Sequence, residues 1–305
     1  MRLLSSCKTN NMKITNKYNL PQAIVASLQS DYEYTDKRYS VTSLLSPIRE
    51  TLLKRKYNNE VEADAVDMIW ALWGNGIHKI LEQETQDGEL SEQQLHHTFD
   101  NGYTLSGYAD FIDLNNQLVI DYKSTSIYQY NNEDSRERWK KQLQMYAYLY
   151  YKMTGTWLPK GQIWLFMKDW TKSKAQYQTE YPDHPVANVD FDLGTPQEVE
   201  EFVVERLSKL IQSEDLQDND LPLCTPEERW NNGDTWAVME KGKKRAKKVF
   251  DNQTDAGYYA NKLHYDGIKV EIEHRVAIDK KCLEYCSVNS YCDYFNKTYV
   301  VGNDE

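Results

Sequence analysis

Three side chains in one short stretch have the types and spacing to hold a divalent cation beside a reactive water. They are Asp110, Asp121 and Lys123, within Gly107-Tyr-Ala-Asp110-Phe-Ile-Asp-Leu-Asn115-Asn116-Gln-Leu-Val-Ile-Asp121-Tyr-Lys123. Asn115-Asn116 reads as the centre of a tight hairpin turn, because Asn tolerates the left-handed conformation that such turns need. Counting outward from that turn puts Asp110 directly opposite Asp121, with Cβ atoms about 4.5–5.5 Å apart on one face. Two facing carboxylates repel. A cation between them removes the repulsion, and oxygen ligands of this kind suit Mg²⁺ or Mn²⁺. Lys123, two residues on, leaves the strand from the same face as Asp121. Its ammonium can position a cation-bound water, stabilise the hydroxide it becomes, or neutralise phosphate charge, which is the logic of metal-assisted phosphodiester hydrolysis. The alternative is an ordinary hairpin with acids on its solvent face. The apolar pairs Phe111-Ile112 and Val119-Ile120, which embed the acids, argue against it.

The elements that must position these residues are legible as changes of period. Leu95 to Lys123 alternates as strands do and is punctuated by Asn101-Gly102 and Asn115-Asn116. Ahead of it, Glu62 to Glu82 reads as one long helix, with Ala65, Ile69, Leu72, Trp73, Ile77 and Ile80 near helical spacing. Behind it, a helix is expected over Arg136–Met153, a strand over Gly161–Lys168 and an amphipathic helix over Glu198–Gln212. Ser40 to Pro47 reads as a helix start ending in a turn. Helix, strand meander, helix, strand, helix predicts the α/β class: an α+β sandwich around a small mixed sheet. The expected divisions are a polar leader and helical segment over residues 1–60, a core over 61–215, and a C-terminal segment over 216–305.

The chain has 305 residues, enough to bury roughly three quarters of its unfolded surface. With 47 acidic against 36 basic residues the net charge is −11, which excludes a protein that coats polyanions non-specifically. It does not exclude a local basic groove working with bound cations. No apolar run approaches the ~20 residues of a membrane span, and Leu4-Ser5-Ser6-Cys7 lacks the apolar stretch of a signal peptide. A cytoplasmic protein with no membrane partner is expected, and its five cysteines are then not structural disulfides.

Four motifs together resemble the RecB-like branch of the PD-(D/E)XK nuclease superfamily, which includes phage and CRISPR-adaptation-type exonucleases. They are Gly76-Ile-His78-Lys-Ile-Leu-Glu82, Gly107-Tyr-Ala-Asp110, Ile120-Asp121-Tyr-Lys123 and Gln142-Leu-Gln-Met-Tyr146, in the family's order. The resemblance implies a restriction-endonuclease-like core and a metal-dependent DNA nuclease, an exonuclease in phage or bacterial recombination or repair. Asp110, Asp121, the Tyr122 carbonyl and His78 would bind the metal, and Lys123 would act on the nucleophilic water. Gln142 and Tyr146 are one helical turn apart and would brace the site or touch DNA. DNA, as single-stranded or double-stranded ends, is the implied partner, with a recombination protein as a further one, in a bacterial cell or phage-infected host. A non-catalytic DNA-binding or scaffolding relative on the same fold is the alternative. Glu82 and Glu92 are set aside as extra acids, and His96-His97 is disfavoured as a metal pair because strand alternation sends the rings to opposite faces.

Cys224, Cys282, Cys286 and Cys292 fall in the last third of the chain. Four thiolates suit a [4Fe–4S] cluster or Zn²⁺, and unligated thiols are the alternative reading. Some relatives staple their C-terminal segment with an iron–sulfur cluster. This chain departs from their pattern in having three residues between Cys282 and Cys286, and in placing Cys224 after the core. Lys241, Lys243, Lys244, Arg245, Lys247 and Lys248 are expected to form a basic helix, available for phosphate contacts or simply solvated.

Overall fold

A computed structural model describes residues 12–29, 34–84 and 86–300, and the chain divides into two compact units at Leu221–Pro222. Each is built from short elements. In the first unit, β1 (Lys13–Thr15), α1 (Gln22–Ser27), β2 (Arg38–Ser40), α2 (Val41–Leu45), α3 (Ile48–Lys56), β3 (Glu62–Asp64) and α4 (Ile69–Leu81) precede the sheet meander. The meander is β4 (Glu89–Thr98), β5 (Thr104–Asp113) and β6 (Leu118–Thr125). Then come α5 (Ile127–Asn131), α6 (Glu133–Thr154), β7 (Lys160–Met167), α7 (Lys172–Tyr177), β8 (Val186–Asp192) and α8 (Pro196–Ser213).

β5 organises the sheet. β4 pairs antiparallel with β5 along its length; its other edge is shared by β2, parallel at Thr104–Ser106, and β6, antiparallel at Phe111–Asp113. β7 runs parallel to β6 and β8 antiparallel to β7. The result is a mixed central sheet flanked by helices, as the α/β reading expects. Val119 and Ile120 are buried on successive positions of β6, as befits a central strand covered on both faces.

α6 is the main cover. Asn132 caps its start by accepting from the Ser135 N–H at 2.8 Å, and Gly155 ends it at φ +78°. It buries Leu143, Met145, Ala147, Tyr148 and Leu149 completely, and each large apolar side chain so removed from water stabilises the fold by about 1.5–3 kcal/mol. α6 comes so close to the sheet that two strand positions must be glycine. A Cβ at Gly107 would stand 2.8 Å from Tyr146 Cε1 and 3.1 Å from Val41 Cγ2. One at Gly161 would stand 2.8 Å from Leu193 Cδ2 and 2.9 Å from Leu143 Cδ1. Gly107→Ala is therefore expected to cost about 1–3 kcal/mol by overpacking and to displace Tyr146. Chemical denaturation checks the first effect; a variant as stable as the parent would show that α6 yields freely.

Two expectations for the first unit are corrected. The long helix over 62–82 begins only at Ile69. Glu62–Asp64 instead pairs with β1 inside the expected leader, and Asp64 accepts from the Val66 N–H to start a single 3₁₀ turn. The turn at Asn115-Asn116 is wider than two residues: the ladder closes at Asp113–Leu118, Asp113 accepts from Asn116 N–H and Nδ2, and the left-handed residue is Gln117. Because the loop grew by one residue on each side, the cross-strand register is unchanged. The part of the leader up to residue 11, with Cys7, lies outside the described residues.

The second unit holds β9 (Thr235–Glu240), β10 (Ala246–Phe250), α9 (Gln253–Tyr265), β11 (Val270–Arg275) and α10 (Lys280–Glu284). The strands form an antiparallel sheet in the order β10-β9-β11, and α9 packs Ala256 and Leu263 onto Val238. The basic run 241–248 is not a helix. Gly242 at φ +84° reverses the chain after β9, and the run continues into β10, because the apolar Trp236–Met239 segment recruits it as a partner strand.

Candidate active site

β6 carries Asp121 into the interior, where it is 1 % exposed. Its Oδ1 accepts from Gln142 Nε2 at 3.0 Å, and the same nitrogen donates to Tyr146 Oη at 2.9 Å. Spacing on α6 explains the pair: residues four apart share a helix face, and Gly107 opens the space that the Tyr146 ring fills. Asp121 Oδ2 is buried without a hydrogen-bond donor. Lys123 Nζ lies 2.6 Å from it, an ion-pair approach without hydrogen-bond alignment.

Asp110 stands one step beyond the last β5–β6 ladder pair, Phe111–Ile120, in register with Asp121. Its Oδ2 accepts from the Tyr122 backbone N–H at 2.8 Å, so side chain replaces main chain where the ladder stops. His78 reaches in from α4. Its Nε2 is 2.9 Å from the Tyr122 carbonyl oxygen and its Nδ1 is 3.3 Å from Asp110 Oδ1. With acceptors facing both nitrogens, the ring holds a proton above the ordinary histidine range, the hydrogen bond to Asp110 being the main cause.

Glu92, set aside from the sequence, belongs to this group: its Oε1 lies 4.0 Å from His78 Nδ1. It occupies the β4 position between the ladder pairs Ser91–Phe111 and Gln93–Ala109, facing Asp110, with a left-handed φ of 46°. A non-glycine residue there costs on the order of 1–3 kcal/mol, and such strain concentrates at functional sites. Counting outward from Asn101-Gly102 as a two-residue turn would oppose Gln93 to Asp110; the turn instead spans three residues, with Phe99 bonded to Tyr103, and this one-residue shift brings Glu92 opposite Asp110. Glu82 instead pairs with Lys79 at 3.0 Å. His97 packs edge-on against Phe99 and Tyr148.

The electrostatics are those of crowded acids that Lys123 and His78 compensate only in part. Burial pushes the Asp121 carboxyl up to about 6; Lys123 opposes the rise and Asp110 adds to it. Burial and then the Asp110 charge also raise Glu92. Ligand atoms of His78, Glu92 and Asp110 lie within 4.8 Å of one another, the one such trio among the described residues. Three convergent donors near the buried Asp121 carboxylate, whose Oδ2 meets only the Lys123 ammonium, fit a divalent cation, whose charge would relieve this repulsion.

The cysteines lie elsewhere, all four half-buried in the second unit. Burial, then the charge of Asp279 and the nearby Cys286 and Cys292, pushes the Cys282 thiol up to about 11.

The PD-(D/E)XK nuclease superfamily model matches residues 26–293. Among solved structures, the chain is similar to the protein SSO0001, at 18 % identity and TM-score 0.45 over 63 % of this chain and 84 % of that one. It is also similar to a phage-related exonuclease from Haemophilus somnus 129PT, at 17 % identity and TM-score 0.35 over 55 % and 79 %. No curated protein matches. Among the described residues, no helix is long and apolar enough to cross a membrane.

Proposed function

Since the chain belongs to the PD-(D/E)XK nuclease superfamily, we propose that it is a divalent-metal-dependent DNA nuclease. In finer detail it is an exonuclease of the RecB-like branch, acting on DNA ends in recombination or repair. The observation that carries the reading is the buried Asp121 Oδ2, with no hydrogen-bond donor and Lys123 at 2.6 Å, beside the His78, Glu92 and Asp110 donors. Mg²⁺ or Mn²⁺ bound there would supply Lewis acidity toward phosphate and a water acidic enough to attack near neutral pH. Asp110 and Asp121 would be its carboxylate ligands, with Glu92, His78 and the Tyr122 carbonyl able to complete the donor set. Gln142 donates to Asp121 Oδ1 and to Tyr146 Oη, which fixes the carboxylate and leaves its other oxygen to Lys123. Lys123 orients the attacking water and neutralises charge building on the phosphate oxygens.

End-labelled single- and double-stranded DNA, incubated with Mg²⁺ or Mn²⁺ and with chelator as control, tests this. Metal-dependent shortening is expected, lowered on the order of 10²–10³-fold by Lys123→Ala. Unchanged cleavage in that variant would remove Lys123 from the chemistry. DNA binding without cleavage in either metal would favour a non-catalytic relative.

For the cysteines we propose a [4Fe–4S] cluster, with Zn²⁺ as the alternative, because four thiolates suit either. Brown visible absorbance in protein purified without oxygen tests it; colourless protein rejects it.

A further inference from the structure

α4, the helix that brings His78 to the site, has no buried residue although it is strongly apolar. Trp70 and Trp73 are 62 % and 58 % exposed, one turn apart on a common face. Such rings belong in a core or against a ligand.

Their surroundings indicate which ligand. Lys168 Nζ lies 4.4 Å from the Trp70 ring centroid. Lys168 is held there by its backbone N–H, which donates to the Thr125 carbonyl at 2.9 Å. Thr125 is two residues beyond Lys123 on β6, about 7 Å along the strand. The Trp70–Lys168 pair therefore sits just past the C-terminal end of the strand that carries the reacting side chains. Next to it, the Asp169 carboxylate accepts from the Ile127 N–H at 2.9 Å, and this joint opens a cavity of about 650 Å³. Tyr128, Lys174 and Tyr181 line the cavity, with Asp169 and Glu180. The Tyr128 ring is 70 % exposed, and Lys174 lies 5.9 Å from the Tyr181 ring centroid. Lys168, Lys172 and Lys174 are all exposed on this short stretch.

Flat aromatic faces alternating with cations match single-stranded nucleic acid, whose bases stack on rings while its phosphates meet lysines. A paired duplex offers no exposed base faces for that purpose. We propose that Trp70, Tyr128 and the Lys168–Lys174 segment form a track for single-stranded DNA leading into the active site, with an unstacked base seated in the Tyr128–Tyr181 cavity. The track rests on the nuclease reading for its purpose, but binding can be measured without cleavage.

The test uses the full chain in chelator with fluorescently labelled oligo-dT and, in parallel, a blunt duplex. Trp70→Ala with Tyr128→Ala is expected to weaken oligo-dT binding by tenfold or more and duplex binding less. Lys168→Ala with Lys174→Ala is expected to flatten the salt dependence of oligo-dT binding by about 1.4 in slope. Trp70→Phe, which keeps a ring, should retain most of the affinity and so separates stacking from misfolding. Oligo-dT affinity within twofold of the parent in the double aromatic variant overturns the proposal. So does a parent dimer that Trp70→Ala dissociates while leaving DNA affinity unchanged, because α4 would then be a protein interface. If the parent fails to cleave yet loses oligo-dT affinity in the variants, the nuclease reading fails and the track stands.

Discussion

Asp121→Asn is expected to abolish metal-dependent DNA cleavage and, in metal-free protein at about pH 8, to raise the unfolding temperature. The two effects have one cause. Asp121 is 1 % exposed, and one of its oxygens has no hydrogen-bond donor. Burial lifts its pKa from an ordinary 3.8 to about 6, with Lys123 opposing and Asp110 adding to the rise. A carboxyl whose folded pKa lies above its unfolded value takes up protons more readily when folded. Its favourable contribution is complete below the unfolded value and is lost as pH rises through about 6. Asn does not ionise, so the variant escapes the loss, and its advantage over the parent should shrink as pH falls through that window. Lys123 loses its partner in the variant, but at 27 % exposure its ammonium can turn to water. Thermal unfolding of both proteins in chelator across pH measures this. Mn²⁺ should then stabilise the parent and not the variant, since only the parent binds it tightly. A variant less stable than the parent at every pH would mark Asp121 as a structural ion-pair partner instead.

Asp279→Ala should have the largest effect on stability, confined to the second unit. The carboxylate is 1 % exposed and accepts from Asn231 Nδ2 at 2.7 Å, Tyr294 Oη at 2.7 Å and Tyr299 Oη at 3.0 Å. Arg229 Nε lies 3.1 Å from it, and the guanidinium stacks over the Tyr294 ring at 4.8 Å. Burial alone would raise the Asp279 pKa; the hydrogen bonds from Tyr294 and Asn231 and the ion pair with Arg229 outweigh it and hold the pKa below the usual range. Removing one member of a buried ion pair strands the other, at a cost of about 3–5 kcal/mol. Asp279 begins the segment bearing Cys282, Cys286 and Cys292, so the same change should loosen the cysteine segment. Hydrogen exchange in full-length protein should show faster exchange over residues 222–300. Protection like that of the parent would mean that the tyrosines and Arg229 re-pair without the carboxylate.

Together these two acids show what can be read from a chain and what cannot. The opposition of Asp110 and Asp121 was legible because strand alternation and turn parity are set by backbone geometry over a dozen residues. It survived even a wrong turn type, since the loop widened equally on both sides. α6 was legible from its apolar stripe, but its start was not: it begins at Glu133 and not at Arg136, because Asn132 caps it. The basic run carried no such period, so nothing local distinguished helix from hairpin. β9 decided it by offering apolar strand residues for pairing. Glu92 needed a third strand in register and a strained backbone, and Asp279 needed four partners from 229 to 299. By itself, then, the sequence determined the facing acids and Lys123 on one strand pair, because adjacent strands register locally. The tertiary structure alone decided that Gln142 holds Asp121, that His78 and Glu92 join Asp110, and that Trp70 stays in water beside them. Those contacts depend on how elements distant along the chain pack, and no short-range period encodes that.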